Sequence, residues 1–241
     1  MTSLELYDVL PSLRASQALP TAIDASEAPG EGARRWLNVV VATIGIVLTA
    51  PVMLAIAVLI RLTSRGPILY RQPRVGIDRR SPSTAGGNHR RSLDYGGRPF
   101  TIYKFRTMQT SRDGGVREAW ASPDDPRVTR LGRILRQYRL DELPQLFNVL
   151  RGDMNIVGPR PEQPRIFNDL RHRVHNYGVR QRVRPGITGW AQINHHYDQS
   201  IEDVRKKIAL DLDYIARQSV IEDLKIMLLT APTVVFKRGA W

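Results

Sequence analysis

One uninterrupted apolar segment dominates the hydrophobic pattern of the chain. Residues 39–60 read VVVATIGIVLTAPVMLAIAVLI and contain no charged side chain. At about 1.5 Å per residue, a helix of this length is long enough to cross the hydrocarbon core of a bilayer, and it is long for a buried core helix. Pro51 lies near its middle, where it removes a helical hydrogen bond and favours a kink. We therefore predict a membrane-inserted helix within residues 34–65.

Basic side chains flank this apolar segment on both sides. They are Arg34 and Arg35 before it, and Arg61, Arg65, Arg71 and Arg74 after it. Basic flanks stay on the cytoplasmic side of a membrane, so a straight span would leave one cluster on the wrong side. A helix that bends at Pro51 and returns keeps both clusters on the cytoplasmic side. The pattern therefore favours a re-entrant helix over a full span.

The rest of the chain alternates first and then becomes helical. Residues 68–70 and 100–105 predict a short antiparallel β-hairpin, and the Gly-, Ser- and Arg-rich residues 77–97 between them predict a long mobile loop. From Asp124 onward, apolar residues recur every three or four positions, as in amphipathic helices. Ser200 is the predicted N-cap of one of them, and a last helix opens with a capping box at Ser219 and is predicted to stop before Pro232.

These elements predict an α+β fold that is mostly α, in three parts. Residues 1–33 form a flexible acidic tail, residues 34–65 the membrane-inserted helix, and residues 66–241 a cytoplasmic domain. We expect its amphipathic helices to lie at the membrane face.

Charge narrows the class of partner. The net charge is +13, and residues 1–33 hold one basic and five acidic side chains, so their −4 leaves +17 for the remainder. Such an excess points to an anionic partner, and nucleic acid, anionic lipid and phosphorylated substrates are all candidates. The chain has no cysteine, which excludes disulfides and thiolate metal sites.

The adjacent acidic residues Asp141 and Glu142 are candidates for chemistry. They lie among arginines, and Pro144 just after them indicates that a helix begins there. A helix N-terminus offers free N–H groups to phosphate oxygens. Successive helical side chains diverge by about 100°, so one carboxylate could attack phosphorus while the other holds Mg²⁺. A solvated helix face is the alternative interpretation of this pair.

Two basic motifs could bind phosphate. Prolines on both sides of Arg160, in the sequence GPRP, would present its guanidinium on a stiff backbone for a two-pronged grip. A simple helix-breaking turn explains the same composition. Lys104 and Arg106 flank Phe105 on the second predicted strand and extend the basic surface. A nucleic-acid face would look similar, but few aromatic residues are placed to stack bases.

Other candidates are weaker. Asp211 and Asp213 match an Asp-any-Asp metal motif, but they fall inside an amphipathic helix, so we interpret them as a solvated helix face. His172, His175, His195 and His196 have no carboxylate or thiolate pattern that completes a metal site.

Five motifs in a fixed order resemble the bacterial sugar transferase family, the monotopic phosphoglycosyl transferases. The matching stretches are Tyr103–Met108, Asp125–Gly132, Asp141–Met154, Val157–Glu162 and Arg184–Gln192. The resemblance covers about residues 34–237, and several ordered motifs are more specific than any one of them. It implies transfer of a sugar 1-phosphate from a UDP-sugar donor to polyprenyl (undecaprenyl) phosphate. The products would be a polyprenyl diphosphate sugar and UMP, in the first membrane step of polysaccharide biosynthesis.

The resemblance also implies roles for single residues. Asp141 would be the nucleophile that forms a phosphosugar–aspartyl intermediate, and Glu142 would help to hold Mg²⁺. Arg136 and Arg160 match basic positions near the substrate phosphates, and Lys104 and Arg106 match a basic strand motif. These expectations place the protein in membrane lipid at the cytoplasmic face of the inner membrane, with no nucleic-acid partner, and they leave homo-oligomerisation open.

One position departs from the family pattern, and two other functions compete. Family members usually carry Ser-Pro in the re-entrant helix, whereas this chain has Ala50-Pro51, so the proline is kept and the serine is not. One competitor is a basic membrane-associated protein that binds anionic lipid or nucleic acid without catalysis. The other is a transferase that moves only the sugar, with metal at Asp211 and Asp213, and releases UDP instead of UMP.

Overall fold

One long helix leads into a domain of two small sheets and six shorter helices within the part of the chain that the structure describes. The computed structural model describes residues 30–79, 96–109, 125–195 and 200–235. The predicted flexible tail lies almost wholly outside these residues, and so does most of the predicted mobile loop at 77–97. Both stay predictions.

Helix α1 spans Glu31–Thr63 and contains the apolar segment. It continues through Pro51 and is long and apolar enough to cross a membrane. Toward its two ends, α1 packs on the domain: Ala42 joins the main core, and Ile56 and Ile60 contact a second cluster with Phe105. Residues 43–55, all of them described, include no buried side chain. The long apolar helix is thus confirmed, while its re-entrant path stays a prediction.

The N-terminal end of α1 is held by a buried ion pair. Arg34 is only 3% exposed, and its Nε donates to Asp223 Oδ2 at 3.0 Å. Its other amino groups donate to the Tyr214 hydroxyl at 2.8 Å and to Gln218 Oε1 at 2.6 Å. The sequence pattern treats Arg34 as a flanking charge at the membrane surface. The structure instead places it inside the domain, where Asp223 compensates its charge.

The described strands form two separate two-stranded sheets. Strands β1 (Leu69–Val75) and β2 (Pro99–Phe105) pair antiparallel, with Leu69 opposite Phe105, which confirms the predicted hairpin. Strands β3 (Asn155–Val157) and β4 (Gly186–Thr188) pair in parallel and were not predicted. Each has three residues, and all three in β3 are buried, so no alternation of polar and apolar residues marks it.

The remaining helices confirm the mostly helical class. They are α2 (Arg130–Gln137), α3 (Gln145–Arg151), α4 (Pro164–Arg173), α5 (Trp190–Asn194), α6 (Ile201–Arg217) and α7 (Val220–Val235), with 3₁₀ turns at Leu140–Glu142 and Tyr177–Arg182. Ser200 caps α6 by accepting from the Asp203 N–H at 3.1 Å, as predicted. The predicted stop before Pro232 is wrong, because α7 runs to Val235. A proline three residues from the end removes only one bond of the last turn.

Candidate active site

The acidic pair lies on the 3₁₀ turn Leu140–Glu142, between α2 and α3. Arg139, just before it, adopts a left-handed conformation with φ 53°, which turns the chain out of α2. The sequence predicts that a helix begins beside this pair, and in the structure α3 begins slightly later, at Gln145. Asp141 is 9% exposed and Glu142 is 7% exposed. The solvated-face alternative for this pair is therefore wrong.

Three basic side chains surround the Glu142 carboxylate. Lys104 Nζ lies 2.6 Å and Arg160 Nη2 lies 2.9 Å from Oε1, and Arg139 Nη1 lies 3.6 Å from Oε2. Burial alone would raise the pKa of Glu142, but these cations outweigh it and hold that pKa well below its usual range. Glu142 is therefore ionised and fixed in position. The structure thus brings together three residues that the sequence singles out: Glu142, Lys104 and Arg160.

Asp141 has a different environment. Within the described chain, no side chain or backbone N–H donates a hydrogen bond to its carboxylate, and its oxygens keep some exposure to solvent. Burial raises the pKa of Asp141, Lys104 opposes that effect, and the neighbouring charge of Glu142 adds to it. Among the described residues, cations thus hold one carboxylate of the pair, whereas the other has no partner.

The Arg160 loop is held from behind by two further guanidinium groups. Arg180 Nη2 donates to the Arg160 carbonyl at 2.9 Å, and Arg74 Nη1 donates to the Pro161 carbonyl at 3.1 Å. Arg180 also lies 2.9 Å from Asp211 Oδ2. The prolines beside Arg160 are therefore only part of the reason for its fixed position.

This network overturns the interpretation of Asp211. The residue is buried against Arg180 and does not lie on a solvated face, while Asp213 pairs with Arg217 on the helix surface. Each carboxylate of the Asp-any-Asp motif thus faces an arginine, which leaves neither free for a metal ion. A sugar-only transferase with metal at these residues loses its structural basis.

Two predicted phosphate ligands have contacts of their own. Arg136 Nε donates to Thr107 Oγ1 at 3.0 Å, and its charge lowers the pKa of Asp141, though less than Lys104 does. Arg106 donates to the carbonyls of Ser64 and Arg65 at 2.9 and 2.8 Å, just after α1. Its side chain fastens the end of α1, and its role in phosphate binding stays a prediction. Pro51 lies in the exposed middle of α1.

The acidic pair would suit a magnesium ion that also binds phosphate oxygens. Asp141 has no partner among the described residues, and the contact of Arg139 with Glu142 Oε2 is 3.6 Å long, beyond hydrogen-bond distance. No group of three or more acidic or histidine side chains in the described ranges would hold the ion alone. Mg²⁺ is commonly bound by one or two carboxylates together with substrate phosphates.

Sequence reasoning gave no role to Gln192, although it ends one of the recognised motifs. Its Oε1 accepts from Arg160 Nη1 at 3.2 Å, so it belongs to the same group of side chains as Glu142. Only its place in the Arg184–Gln192 motif could have drawn attention to it.

The chain is similar to known proteins along most of its length. Residues 30–237 match the family model described as bacterial sugar transferase. The chain is 42% identical over 208 residues to the UDP-N-acetylgalactosamine-undecaprenyl-phosphate N-acetylgalactosaminephosphotransferase of Aeromonas hydrophila, covering 86% of this chain and 44% of that protein. It is 42% identical over 197 residues to the undecaprenyl-phosphate glucose phosphotransferase of Komagataeibacter xylinus, covering 80% of this chain and 34% of the relative.

A third relative is nearer in length. The UDP-glucose:undecaprenyl-phosphate glucose-1-phosphate transferase of Caulobacter vibrioides is 42% identical over 210 residues, covering 86% of this chain and 72% of that protein. The chain thus spans less than half of the first two relatives and most of the third.

Proposed function

Because the chain belongs to the bacterial sugar transferase family, we propose that it transfers a sugar 1-phosphate from a UDP-sugar to polyprenyl phosphate. The products are a polyprenyl diphosphate sugar and UMP. Three relatives that are named as undecaprenyl-phosphate sugar phosphotransferases support this reaction class.

The observation that carries the proposal is the unequal environment of the two carboxylates. Glu142 is bound by Lys104 and Arg160, whereas Asp141 has no partner in the described chain and is open to an incoming group. An attacking carboxylate must be unobstructed, and Asp141, unlike Glu142, is not bound by a cation of the described chain, so it suits the nucleophile. A protein that only binds anionic lipid or nucleic acid has no need for a buried acidic pair inside a basic site.

The reaction proceeds in two displacements. A carboxylate oxygen of Asp141 attacks the sugar-bearing phosphorus, the bond from that phosphorus to the bridging oxygen breaks, and UMP leaves with the bond's electrons. An oxygen of polyprenyl phosphate then attacks the same phosphorus, and its bond to Asp141 breaks, which restores the carboxylate. The water-soluble donor and the lipid acceptor therefore never need to be bound together.

The surrounding cations make the first displacement possible. A carboxylate and a diphosphate repel each other, and fixed positive charges reduce this repulsion in a site shielded from water. Lys104 and Arg160 contact the acidic pair by binding Glu142, and Arg136 adds positive charge near Asp141. Mg²⁺, held by Glu142 with substrate oxygens, would supply further charge neutralisation.

The contacts of α1 support a re-entrant path at the cytoplasmic face of the inner membrane. The start of the helix is held by Arg34 and Asp223, and the loop after its end is held by Arg106, so both ends are fastened to one domain. Apolar side chains in the middle are exposed, Leu48 by 72% and Leu54 by 68%. Membrane lipid is the environment that such a surface needs.

One assay tests the reaction class. Purified protein is incubated with a panel of UDP-sugars, polyprenyl phosphate and Mg²⁺, and UMP and UDP are both measured. UMP release that depends on the donor confirms the proposal and identifies the sugar. UDP release would show that only the sugar moves, and neither product with any donor would favour a binding protein.

A further inference from the structure

The side chain of Gln192 carries a buried amide donor that no described residue uses. Its Nε2 is sealed from solvent and has no hydrogen-bond partner, while its Oε1 accepts from Arg160. A guanidinium group can only donate, so the amide oxygen must face Arg160 and the NH₂ group must point elsewhere. The orientation of the amide is therefore fixed by chemistry.

An unused buried donor is costly. Leaving such a group without an acceptor costs about 1–3 kcal/mol, so buried amides are normally paired. A methionine side chain of similar length would avoid this cost. Retaining the amide is reasonable if an acceptor arrives with the substrate.

Backbone contacts lock Gln192 and Arg160 into one unit. Strands β3 and β4 pair directly before them, the Gly158 N–H donates to the Thr188 carbonyl at 2.9 Å, and the Gly186 N–H donates to the Pro159 carbonyl at 2.9 Å. A Cβ atom at Gly189 would overlap the Gly158 carbonyl oxygen. The two recognised motifs are thus in direct backbone contact, and α5 projects Gln192 beside the guanidinium that binds Glu142.

We propose that Gln192 is a substrate-contacting residue: its amide oxygen orients Arg160, and its NH₂ group, which is covered in this structure, donates to a phosphoryl oxygen of the substrate once the side chains around it shift to admit that oxygen. This role rests on the proposed function. Phosphoryl oxygens are strong acceptors, and Arg160 beside the amide favours a negatively charged group there. The phosphoryl oxygen belongs either to the UDP-sugar or to polyprenyl phosphate, and the two half-reactions distinguish them.

The decisive variant is Gln192→Glu, compared with Gln192→Met. Glutamate keeps an oxygen for Arg160 but lacks the NH₂ donor, and it adds a negative charge opposite the phosphate. If Gln192 only positioned Arg160, Gln192→Glu would stay active while Gln192→Met would lose activity. If the NH₂ group donates to phosphate, Gln192→Glu is at least as impaired as Gln192→Met. Asn194→Ala is the matched control, since Asn194 lies exposed on the same helix and its side chain, within the described part of the chain, bonds only to the Trp190 carbonyl.

The measurement separates the half-reactions. The rate of donor-only adduct formation at Asp141 is followed by intact-protein mass spectrometry, and transfer to added polyprenyl phosphate is followed from the preformed adduct. We expect Gln192→Glu to slow one of them by about 10- to 100-fold, the loss of one hydrogen bond to a charged group. Slower adduct formation identifies the UDP-sugar as the contact, and slower transfer alone identifies the lipid phosphate. Both rates within twofold of wild type would overturn the proposal.

A second readout does not require turnover. In an Asp141→Asn background, UDP-sugar and polyprenyl phosphate binding are each measured calorimetrically with and without Gln192→Glu. Weaker binding of either ligand supports the contact even if no covalent adduct forms in the wild type. Unchanged binding of both, together with unchanged half-reactions, leaves Gln192 as a structural residue. Absence of UMP release from the wild type would instead refute the proposed function.

Discussion

At the residue scale, the acidic pair acquires two characters because the neighbours of its members differ. Asp141 and Glu142 are adjacent and almost equally buried, yet Lys104 and Arg160 both bind Glu142. Cations lower the pKa of Glu142, while burial raises that of Asp141. The sequence identified the acidic pair and the basic residues near it. Which cation binds which carboxylate depends on contacts across 18 and 38 positions of the chain, and no spacing encodes those.

The first prediction separates the two carboxylates by substitution. Asp141→Asn should abolish the donor-only adduct and reduce UMP release by about a thousandfold or more, because an amide cannot replace the attacking carboxylate. Glu142→Gln should reduce turnover by about 100-fold, because it weakens Mg²⁺ binding and releases two cations from their partner. Raised Mg²⁺ should partly rescue only Glu142→Gln. Asp169→Asn, an exposed carboxylate on α4, is the control. An adduct mapped to Glu142 would reverse the assignment.

The second prediction concerns the pH dependence of adduct formation. Lys104 lowers the pKa of both carboxylates, so Lys104→Met should raise both. Since the nucleophile must be ionised, the rate falls as pH drops through its pKa. The acid limb of the rate profile should therefore move to higher pH in Lys104→Met, in addition to an overall loss of rate. Lys206→Met, at an exposed position of α6, should leave the profile in place. An unmoved acid limb in Lys104→Met would exclude electrostatic control by this lysine.

At the element scale, strong periodicity was predictive and short buried elements were not. The long apolar helix, the hairpin and the Ser200 cap follow directly from apolar runs, alternation and capping chemistry. Strands β3 and β4 were not predicted, because each is only three residues long and the fully buried β3 shows no alternation of polar and apolar residues. The 3₁₀ turn that carries the acidic pair was not predicted, because its geometry depends on Arg139 adopting a positive φ, which an arginine seldom does.

The third prediction concerns the junction between β3 and β4. A Cβ atom at Gly186 would overlap the Gly158 amide nitrogen and the Thr188 carbonyl oxygen, both of them backbone atoms that cannot move aside cheaply. Gly186→Ala should therefore lower the free energy of unfolding by about 1–3 kcal/mol and slow adduct formation, since Arg160 and Gln192 depend on this junction. Gly178→Ala is the control, because no atom lies within 4 Å of its added Cβ. Thermal unfolding in detergent measures the change in stability, and the rate of adduct formation measures the change in activity. Equal melting temperatures for the two variants would contradict the described packing.

At the scale of the whole molecule, one domain holds both ends of a helix whose middle it leaves bare. The flanking arginines predicted that both ends of the helix stay on one side of the membrane, and this stays a prediction. Arg34 binds Asp223 and Tyr214 inside the domain, whereas the sequence pattern placed it at the membrane surface. Its acceptors lie 180 and 189 positions away along the chain, so the sequence pattern could identify the charge but not its partner.

The last prediction tests the path of α1 through the membrane. The chain has no cysteine, so single cysteines at Ala33 and Thr63, both exposed at opposite ends of the helix, are the only thiols available for labelling. Each should react with a membrane-impermeant maleimide in inside-out vesicles and not in right-side-out vesicles, because both ends are fastened to the same domain, which we propose to lie in the cytoplasm. Leu48→Cys, in the exposed apolar middle, should stay unlabelled in both preparations until detergent is added, since lipid covers it. Retained UMP release shows that each variant is folded. Labelling of either end from the periplasmic side would establish a full span and remove the re-entrant path.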